Sequence, residues 1–214
     1  NEELQRTQDV TIYTLTSLAE TRDNETGAHI LRTQRYVRSL AESLENTAGF
    51  ENELNEETID LLFKSAPLHD IGKVGIPDAI LLKPDKLNSE EWETMKTHAA
   101  LGGDALYNAE QRLGSTSFLR IGREIAYTHH EKWDGNGYPK GLSGEDIPVS
   151  GRLMALADVY DALVSKRVYK PAFSHDKAKS IILEGRGQHF DPRVVDAFLE
   201  KEQEFVNIAV NFKD

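Results

Sequence analysis

The chain has 214 residues, a net charge of −11 and no cysteine, a size that predicts one domain or one domain with an appendage. The lack of cysteine excludes disulfides and thiolate metal sites. The acidic balance argues against a protein that coats duplex nucleic acid, although bound divalent cations can still attract a small anionic substrate. No apolar run approaches the roughly 20 residues of a membrane helix, and no signal peptide is visible.

Residues 1–22 are predicted to form a polar helix with apolar residues at Leu4, Leu15 and Leu18. Two interpretations stay open. It is either an ordinary first helix, or a signalling helix that runs in from an upstream sensor or receiver domain and pairs with a second copy. Because the chain begins at Asn1 rather than Met, we expect it to be a piece of a longer protein from which such a domain is missing.

The next two predicted helices lead to a His-Asp pair. The first covers residues 28–46 and the second starts after Asn55, a plausible N-cap. In the second helix, apolar residues recur at the i, i+3, i+4 and i+7 positions of an amphipathic helix. Pro67 should kink or end its regular part, just before His69 and Asp70.

Asn88 and Glu91 form a capping-box-like pair that should begin a helix running to His98. Two glycines follow, at 102 and 103, and either kink this helix or let another backbone approach closely. Residues 118–130 read as a further helix that ends at His129 and His130.

Residues 131–148 carry four glycines and two prolines, and loops of this length are usually functional or disordered. Trp133 and Tyr138 in this segment argue against disorder. Helices are predicted at 151–165, 174–184 and 192–203, and the first of these is apolar all round, as in a buried helix. No alternating strand pattern occurs, so we expect an all-α fold with a linker over 1–22, a catalytic domain over 23–205 and a tail over 206–214.

Several histidines and carboxylates have the spacing of metal ligands. Glu25 and His29 are spaced i, i+4 and would share one helix face. Asp158 lies in the most apolar helix, where a lone carboxylate needs a cation or several donors. A metal would serve, and so would a buried salt bridge with an arginine. Asp161, one turn later, could hold a ligand histidine by its second nitrogen.

Imidazole and carboxylate ligands without sulfur suit iron, manganese, zinc or nickel. The candidates are too many for one ion, and a bridging Asp70 would place two ions roughly 3.5–4 Å apart. That arrangement hydrolyses phosphoesters with a hydroxide held between the metals, so that no serine or cysteine nucleophile is needed. The candidate ligands are Glu25, His29, His69, Asp70, His98, His129, His130 and Asp158.

These motifs, in this order, resemble those of the HD-GYP subgroup of the HD-domain phosphohydrolases. The resemblance runs from about residue 7 to residue 200, and the long histidine-to-proline element is its most specific part. The matching motifs are Glu25-Thr-Gly-Ala-His29, His69-Asp-Ile-Gly-Lys73, His98-Ala-Ala-Leu-Gly102, His129-His-Glu-Lys-Trp-Asp-Gly-Asn-Gly-Tyr-Pro139, Ala157-Asp-Val-Tyr-Asp161 and Arg167-Val-Tyr-Lys170.

The resemblance implies an HD-domain helical bundle with a GYP loop and a cytoplasmic bacterial phosphodiesterase that hydrolyses cyclic di-GMP to pGpG or GMP. It implies two or three divalent ions, with iron or manganese expected and zinc, nickel or cobalt as alternatives. Glu25 and His29 match positions that complete a third metal site in some members. The central metals would be held by His69, Asp70, His98, His129, His130 and Asp158, with Asp70 as the expected bridge.

Substrate contacts follow from the same resemblance. Lys73, Arg167 and Lys170 match residues that grip phosphates, and Tyr138 belongs to the loop on the guanine side. Val168 stands where many relatives have proline, and we expect it to alter loop stiffness and not chemistry. The implied partners are the missing sensor or receiver domain, a second copy paired through the N-terminal helix, and a diguanylate cyclase.

Other residues read as structural. We expect His189 to be a hydrogen-bonded turn residue, His175 a solvated residue at a helix start, and Trp92 a core residue rather than a base-stacking platform. Glu131 and Asp134 could support ligands or simply order the loop. Two rival functions remain: a phosphodiesterase for 3′3′-cyclic GMP-AMP, and a cyclic-dinucleotide sensor or interaction module with little turnover.

Overall fold

The computed structural model describes residues 2–22, 27–113, 118–165 and 172–212. No strand forms within these ranges, apart from one isolated bridge between Arg186 and Phe190, and the all-α class is therefore confirmed. Two 3₁₀ segments, Ala66–Gly75 and Gly144–Asp146, lie between the helices. The helices are α1 Glu2–Glu20, α2 Gly27–Leu44, α3 Glu56–Ser65, α4 Asp78–Leu81, α5 Ser89–Leu113, α6 Phe118–Thr128, α7 Val149–Val164, α8 His175–Glu184, α9 Pro192–Glu200 and α10 Glu202–Asn211.

Side-chain caps explain where α3 and α5 begin. The Asn55 side chain accepts a hydrogen bond from the Thr58 amide at 2.9 Å. At the start of α5, the Asn88 side chain accepts from the Glu91 amide at 2.9 Å, and the Glu91 carboxylate accepts from the Asn88 amide at 2.8 Å. Each bond satisfies an amide that the first helical turn leaves unpaired, so both predicted caps are confirmed.

The core is arranged around α7, whose residues 153–157 are buried on every side. Tyr160 of α7 packs together with three aromatic residues from other helices: Tyr36, Phe198 and Phe205. The rings of Tyr36 and Phe205 stack with their centroids 4.5 Å apart. Close packing of large rings leaves α7 little freedom to shift, and the two aspartates that α7 carries are therefore held in place.

The structure refines several predicted boundaries. Regular helix ends at Ser65, before Pro67, and His69 and Asp70 lie on the tighter 3₁₀ segment. Helix α5 continues without a break through its glycines to Leu113. The predicted helix over 192–203 is broken at Lys201, and α10 crosses the suggested boundary at residue 205. The division into linker, catalytic domain and tail remains a prediction.

Two side chains lie in surroundings that differ from those predicted. Trp92 was expected in the core and is 46% exposed, because α5 buries residues only from His98 onward. His175 was expected to be solvated, but its Nδ1 lies 2.9 Å from the Tyr160 hydroxyl and its Nε2 lies 2.8 Å from Glu202. Helix α10 brings Glu202 to this position from 27 residues along the chain.

The first helix has one buried and one exposed apolar side. Ile12 and Ala19 are each 8% exposed, whereas Val10, Leu15 and Leu18 are 58, 56 and 66% exposed. Such an outward apolar side fits both interpretations of this helix, and pairing with a second copy stays a prediction. Across the described ranges, no helix combines the length and apolarity needed to cross a membrane.

Candidate metal centre

Three buried histidines are oriented in the same way by the backbone. The Nδ1 atoms of His69, His98 and His129 lie 3.0 Å from the Ala66 carbonyl, 2.7 Å from the Met95 carbonyl and 3.0 Å from the Ile125 carbonyl. A carbonyl oxygen can only accept, so Nδ1 carries the proton in each ring. Each Nε2 therefore presents a lone pair, which is the form of imidazole that binds a metal.

The lone pairs of two of these rings converge on Asp70. Its Oδ1 lies 3.2 Å from His98 Nε2 and 3.5 Å from His129 Nε2. All three atoms are buried, and none has a hydrogen-bond partner among the described residues. Three acceptors that face one another without a donor are costly to bury. A cation between them removes that cost, so the residues present fit a metal ion.

The candidate ligands form two groups, and the ligand atoms within each group lie within 4.8 Å of one another. The first group is Asp70, His98, His129 and His130, and the second is His29, His69 and Asp158. In the second group, His29 Nε2 lies 3.4 Å from His69 Nε2 and 3.9 Å from Asp158 Oδ1.

Asp70 lies between the two groups. While its Oδ1 faces the first group, its Oδ2 is 3.3 Å from His69 Nε2. A carboxylate with one oxygen toward each group has the placement that a bridging ligand requires. His29, which the resemblance grouped with Glu25, lies beside His69 and Asp158.

Asp161 supports the second group from behind. Its Oδ2 accepts from His29 Nδ1 at 2.8 Å, and Arg32 Nε donates to its Oδ1 at 2.6 Å. Asp161 is 1% exposed and Arg32 is 3% exposed. Among the described residues, the buried arginine pairs with Asp161, while Asp158 lies 3.9 Å from His29 Nε2. A carboxylate on the far nitrogen of a ligand histidine fixes both its ring orientation and its tautomer.

Charges in the centre favour the metal-binding protonation states. Burial raises the pKa of Asp70, but the Lys73 ammonium 2.8 Å away outweighs it and brings that pKa well below its usual range. Burial lowers the pKa of His130 well below its usual value, and the adjacent His129 lowers it further. An ionised carboxylate and a neutral imidazole are the forms that ligate divalent ions.

A close backbone approach sets the spacing between the 3₁₀ segment and α5. A Cβ added at Gly72 would lie 1.9 Å from the His98 carbonyl oxygen and 2.5 Å from the Gly102 nitrogen. Only glycine fits there, and it lets Asp70 Oδ1 come within 3.2 Å of His98 Nε2. Of the two readings of the α5 glycines, close approach therefore holds at Gly102.

The loop over 131–148 is ordered by a buried carboxylate. Glu131 is 1% exposed and accepts from the Lys140 and Leu142 amides at 2.7 and 3.0 Å. Asp134 accepts from the Asn136 amide at 2.9 Å. Both carboxylates therefore order the loop, which decides between the two roles left open by the sequence.

The ordered loop places Tyr138 over the centre. The Tyr138 ring stacks on His130 with centroids 4.7 Å apart and planes at 28°. Burial raises the pKa of Tyr138, and the carboxylates of Asp70 and Asp158 raise it further, so the phenol keeps its proton. A protonated phenol beside the cluster can donate a hydrogen bond to a bound anion.

The structure describes most of the predicted site residues and brings them together from five segments. Glu25, Arg167 and Lys170 lie outside the described residues, as does Val168. Reasoning from sequence did not single out Arg32, although its i, i+3 spacing from His29 on α2 was a usable signal. It also missed Gly72 as the point of contact with α5.

Comparison with known proteins assigns a family to this arrangement. The HD domain family matches residues 18–194. A cyclic di-GMP phosphodiesterase of Vibrio cholerae is 65% identical over 212 residues, which are 99% of this chain and 43% of that protein. The 3′3′-cGAMP-specific phosphodiesterase 2 of the same organism is 41% identical over 212 residues, 99% of this chain and 38% of that protein. The chain thus spans less than half the length of these relatives.

A solved structure supports the fold alone. It is the crystal structure of a cyclic GMP-AMP specific phosphodiesterase of V. cholerae, with a TM-score of 0.65 and 18% identity over 96% of this chain and 52% of that one. The matched family range contains every residue of the two ligand groups. The chain therefore belongs to the HD domain family, and its resemblance to the HD-GYP subgroup is confirmed.

Proposed function

We propose that this chain is a metal-dependent phosphodiesterase that hydrolyses cyclic di-GMP. The observation that carries the proposal is the set of buried acceptor atoms around Asp70, which a cation would satisfy. The 65% identical relative, whose name states this activity, supplies the substrate class.

The two ligand groups would hold one divalent ion each, with Asp70 shared between them. Glu25, with His29, would complete a third site. Imidazole and carboxylate ligands suit iron or manganese, and zinc, nickel and cobalt are the alternatives. When bound, such ions supply Lewis acidity toward phosphate oxygens and lower the pKa of a coordinated water.

The chain's own side chains would position the substrate and balance its charge. Lys73 Nζ, now 2.8 Å from Asp70 Oδ2, would contact a phosphoryl oxygen and offset the charge that develops there. Arg167 and Lys170, which the resemblance implies as phosphate contacts, would also bind the substrate phosphates, and the Tyr138 hydroxyl would donate to the substrate. Water oxygen adds to phosphorus as the bond to the 3′ oxygen breaks, and the departing oxygen takes a proton. The product is linear pGpG, and a second cleavage yields GMP.

The wider setting follows from this substrate. We place the protein in the bacterial cytoplasm, where it would lower the level of a second messenger. Helix α1 would run in from an upstream sensor or receiver domain, and its exposed Leu15 and Leu18 would pair with a second copy. A diguanylate cyclase, which makes the substrate, is the proposed regulatory partner.

The proposal is tested by removing the central pair of ligands. The double variant His69→Ala/Asp70→Ala should lose both bound metal and turnover, measured by elemental analysis of anaerobically purified protein and by chromatography of the products. The chain offers a matched control, because His175 and Asp176 form a second His-Asp pair on α8, outside both ligand groups. His175→Ala/Asp176→Ala should keep metal and activity. Normal hydrolysis by the first double variant would end the proposal.

One alternative substrate has an observation in its favour, namely the 41% identical relative named for 3′3′-cGAMP. Assaying the two cyclic dinucleotides side by side distinguishes the substrates. Metal-loaded protein that binds either nucleotide tightly but releases no product would instead indicate a sensor module.

A further inference from the structure

Trp92 is a large apolar side chain that is only partly buried and lies near the candidate metal centre. It lies on the first two turns of α5 and is 46% exposed. An exposed tryptophan forgoes the stabilisation that burying its ring would provide. The exposed face of an indole ring can accept a planar group such as a nucleic-acid base.

A single ring connects Trp92 to the candidate metal ligands. The Trp92 and Tyr138 rings meet edge to face, with centroids 6.2 Å apart and planes at 81°. The same Tyr138 ring stacks on His130 and lies 6.4 Å from His98. Trp92 and Tyr138 therefore form a right-angled aromatic corner at the edge of the cluster.

Lys96 adds a positive charge to this corner. It follows Trp92 by four residues on α5, so both project from one side of the helix. Its Nζ lies 5.7 Å from the centroid of the Tyr138 ring. Its ion pair is with Glu93, at 2.8 Å, and that carboxylate is 70% exposed. A surface pair of this kind is weak and can exchange for a phosphate.

We propose that Trp92 is a stacking platform for one purine base of the cyclic dinucleotide, with Lys96 contacting the adjacent phosphate. This inference rests on the proposed function, because the substrate must place one phosphate at the metal ligands and extend a base outward past Tyr138. Stacking on an aromatic ring accepts any base, since every base has a π face. Trp92 would therefore set the affinity for cyclic dinucleotides and not the choice between guanine and adenine.

The kinetic test uses the metal-loaded protein. Trp92→Ala should raise KM for cyclic di-GMP about tenfold while kcat stays within about twofold, and Trp92→Phe should restore most of the affinity. If the wild type also hydrolyses 3′3′-cyclic GMP-AMP, Trp92→Ala should raise the KM for that substrate by the same factor. Lys96→Ala should raise KM more at low salt than at high salt, because exposed charges are screened.

The binding test uses fluorescence, because Trp92 and Trp133 are the two tryptophans of the chain. In a Trp133→Phe background, a phosphorothioate analogue of cyclic di-GMP should quench the remaining emission. In a Trp92→Phe background, quenching by the analogue should be largely lost. Thermal unfolding of each variant checks that it is folded.

Two outcomes would overturn the inference. One is an unchanged KM in Trp92→Ala together with no quenching of Trp92. The other is a fall in kcat at constant KM, which would make Trp92 a support for Tyr138 alone. Either result, obtained while the wild type hydrolyses cyclic di-GMP, leaves the proposed function standing. Absence of hydrolysis by the metal-loaded wild type would refute the proposed function itself.

Discussion

Replacing Asp161 by asparagine removes a charge that holds the candidate ligand His29, without changing any of the candidate ligands themselves. The carboxylate accepts from His29 Nδ1 at 2.8 Å and from Arg32 at 2.6 and 3.0 Å. Asparagine has nearly the same shape but one acceptor oxygen and no charge. The guanidinium of Arg32, 3% exposed, would then lose the negative charge of Asp161 beside it.

The expected cost follows from this burial. Breaking a buried ion pair by removing one partner costs about 3–5 kcal/mol, and asparagine keeps one acceptor, so we expect about 3 kcal/mol. For a chain of this size each kcal/mol lowers Tm by about 2–4 °C, which gives a fall of about 6–12 °C. Losing the carboxylate behind His29 should also weaken metal binding about 10- to 100-fold.

Calorimetric unfolding of the metal-free protein and titration with Mn²⁺ measure the two effects separately. Asp60→Asn is the matched control, because Asp60 pairs with Arg38 at the surface, where its side chain is 57% exposed. That pair should contribute less than about 1 kcal/mol. If Asp161→Asn and Asp60→Asn have the same Tm and the same Mn²⁺ affinity, the role of Asp161 in holding His29 is refuted.

Three further changes test other parts of the structure. Asp191 is 1% exposed and accepts from Arg152 at 2.9 Å and from Arg193 at 3.0 Å. Burial raises its pKa, but the two arginines outweigh burial and lower that pKa, so Asp191→Asn should cost about 3 kcal/mol at pH 7. The stabilisation by ionised Asp191 is complete above about pH 4 and is lost as the pH falls through its pKa in the folded protein. The free energies of unfolding of variant and wild type should therefore converge in acid, and a difference that stays constant with pH would contradict this. Gly72→Ala should destabilise by several kcal/mol and lose metal, because its Cβ would collide with the α5 backbone. Gly144→Ala is the control: a Cβ added there has no atom within 4 Å, and the substitution should cost about 1 kcal/mol. Equal Tm values for the two variants would count against the close approach of Gly72 to α5. Glu131→Gln should cost about 1.5–3 kcal/mol and expose residues 131–148 to limited proteolysis; an unchanged cleavage rate would refute its ordering role.

Local patterns predicted the helices well, because helix starts and buried faces depend on residues a few positions apart. The caps at Asn55 and Asn88 needed only i, i+3 spacing, and the buried run in α7 needed only its composition. The break at Lys201 was missed, since it depends on how α10 folds back over the core. Trp92 was misplaced for a related reason: the part of α5 that becomes covered is decided by its packing partners.

The candidate ligands could be named from the sequence, because imidazole and carboxylate side chains recur at motif spacings and the motifs resemble a known family. The division of these ligands into two groups could not be predicted from the sequence, since it depends on contacts between residues far apart in the chain. Asp161 meets His29 across 132 residues, and Arg32 meets Asp161 across 129. Chemistry at a site needs particular residue types, which sequence records directly. Whether Asp70 faces two groups at once depends on Gly72 and on the packing of α5, α6 and α7, and only the folded chain decides that.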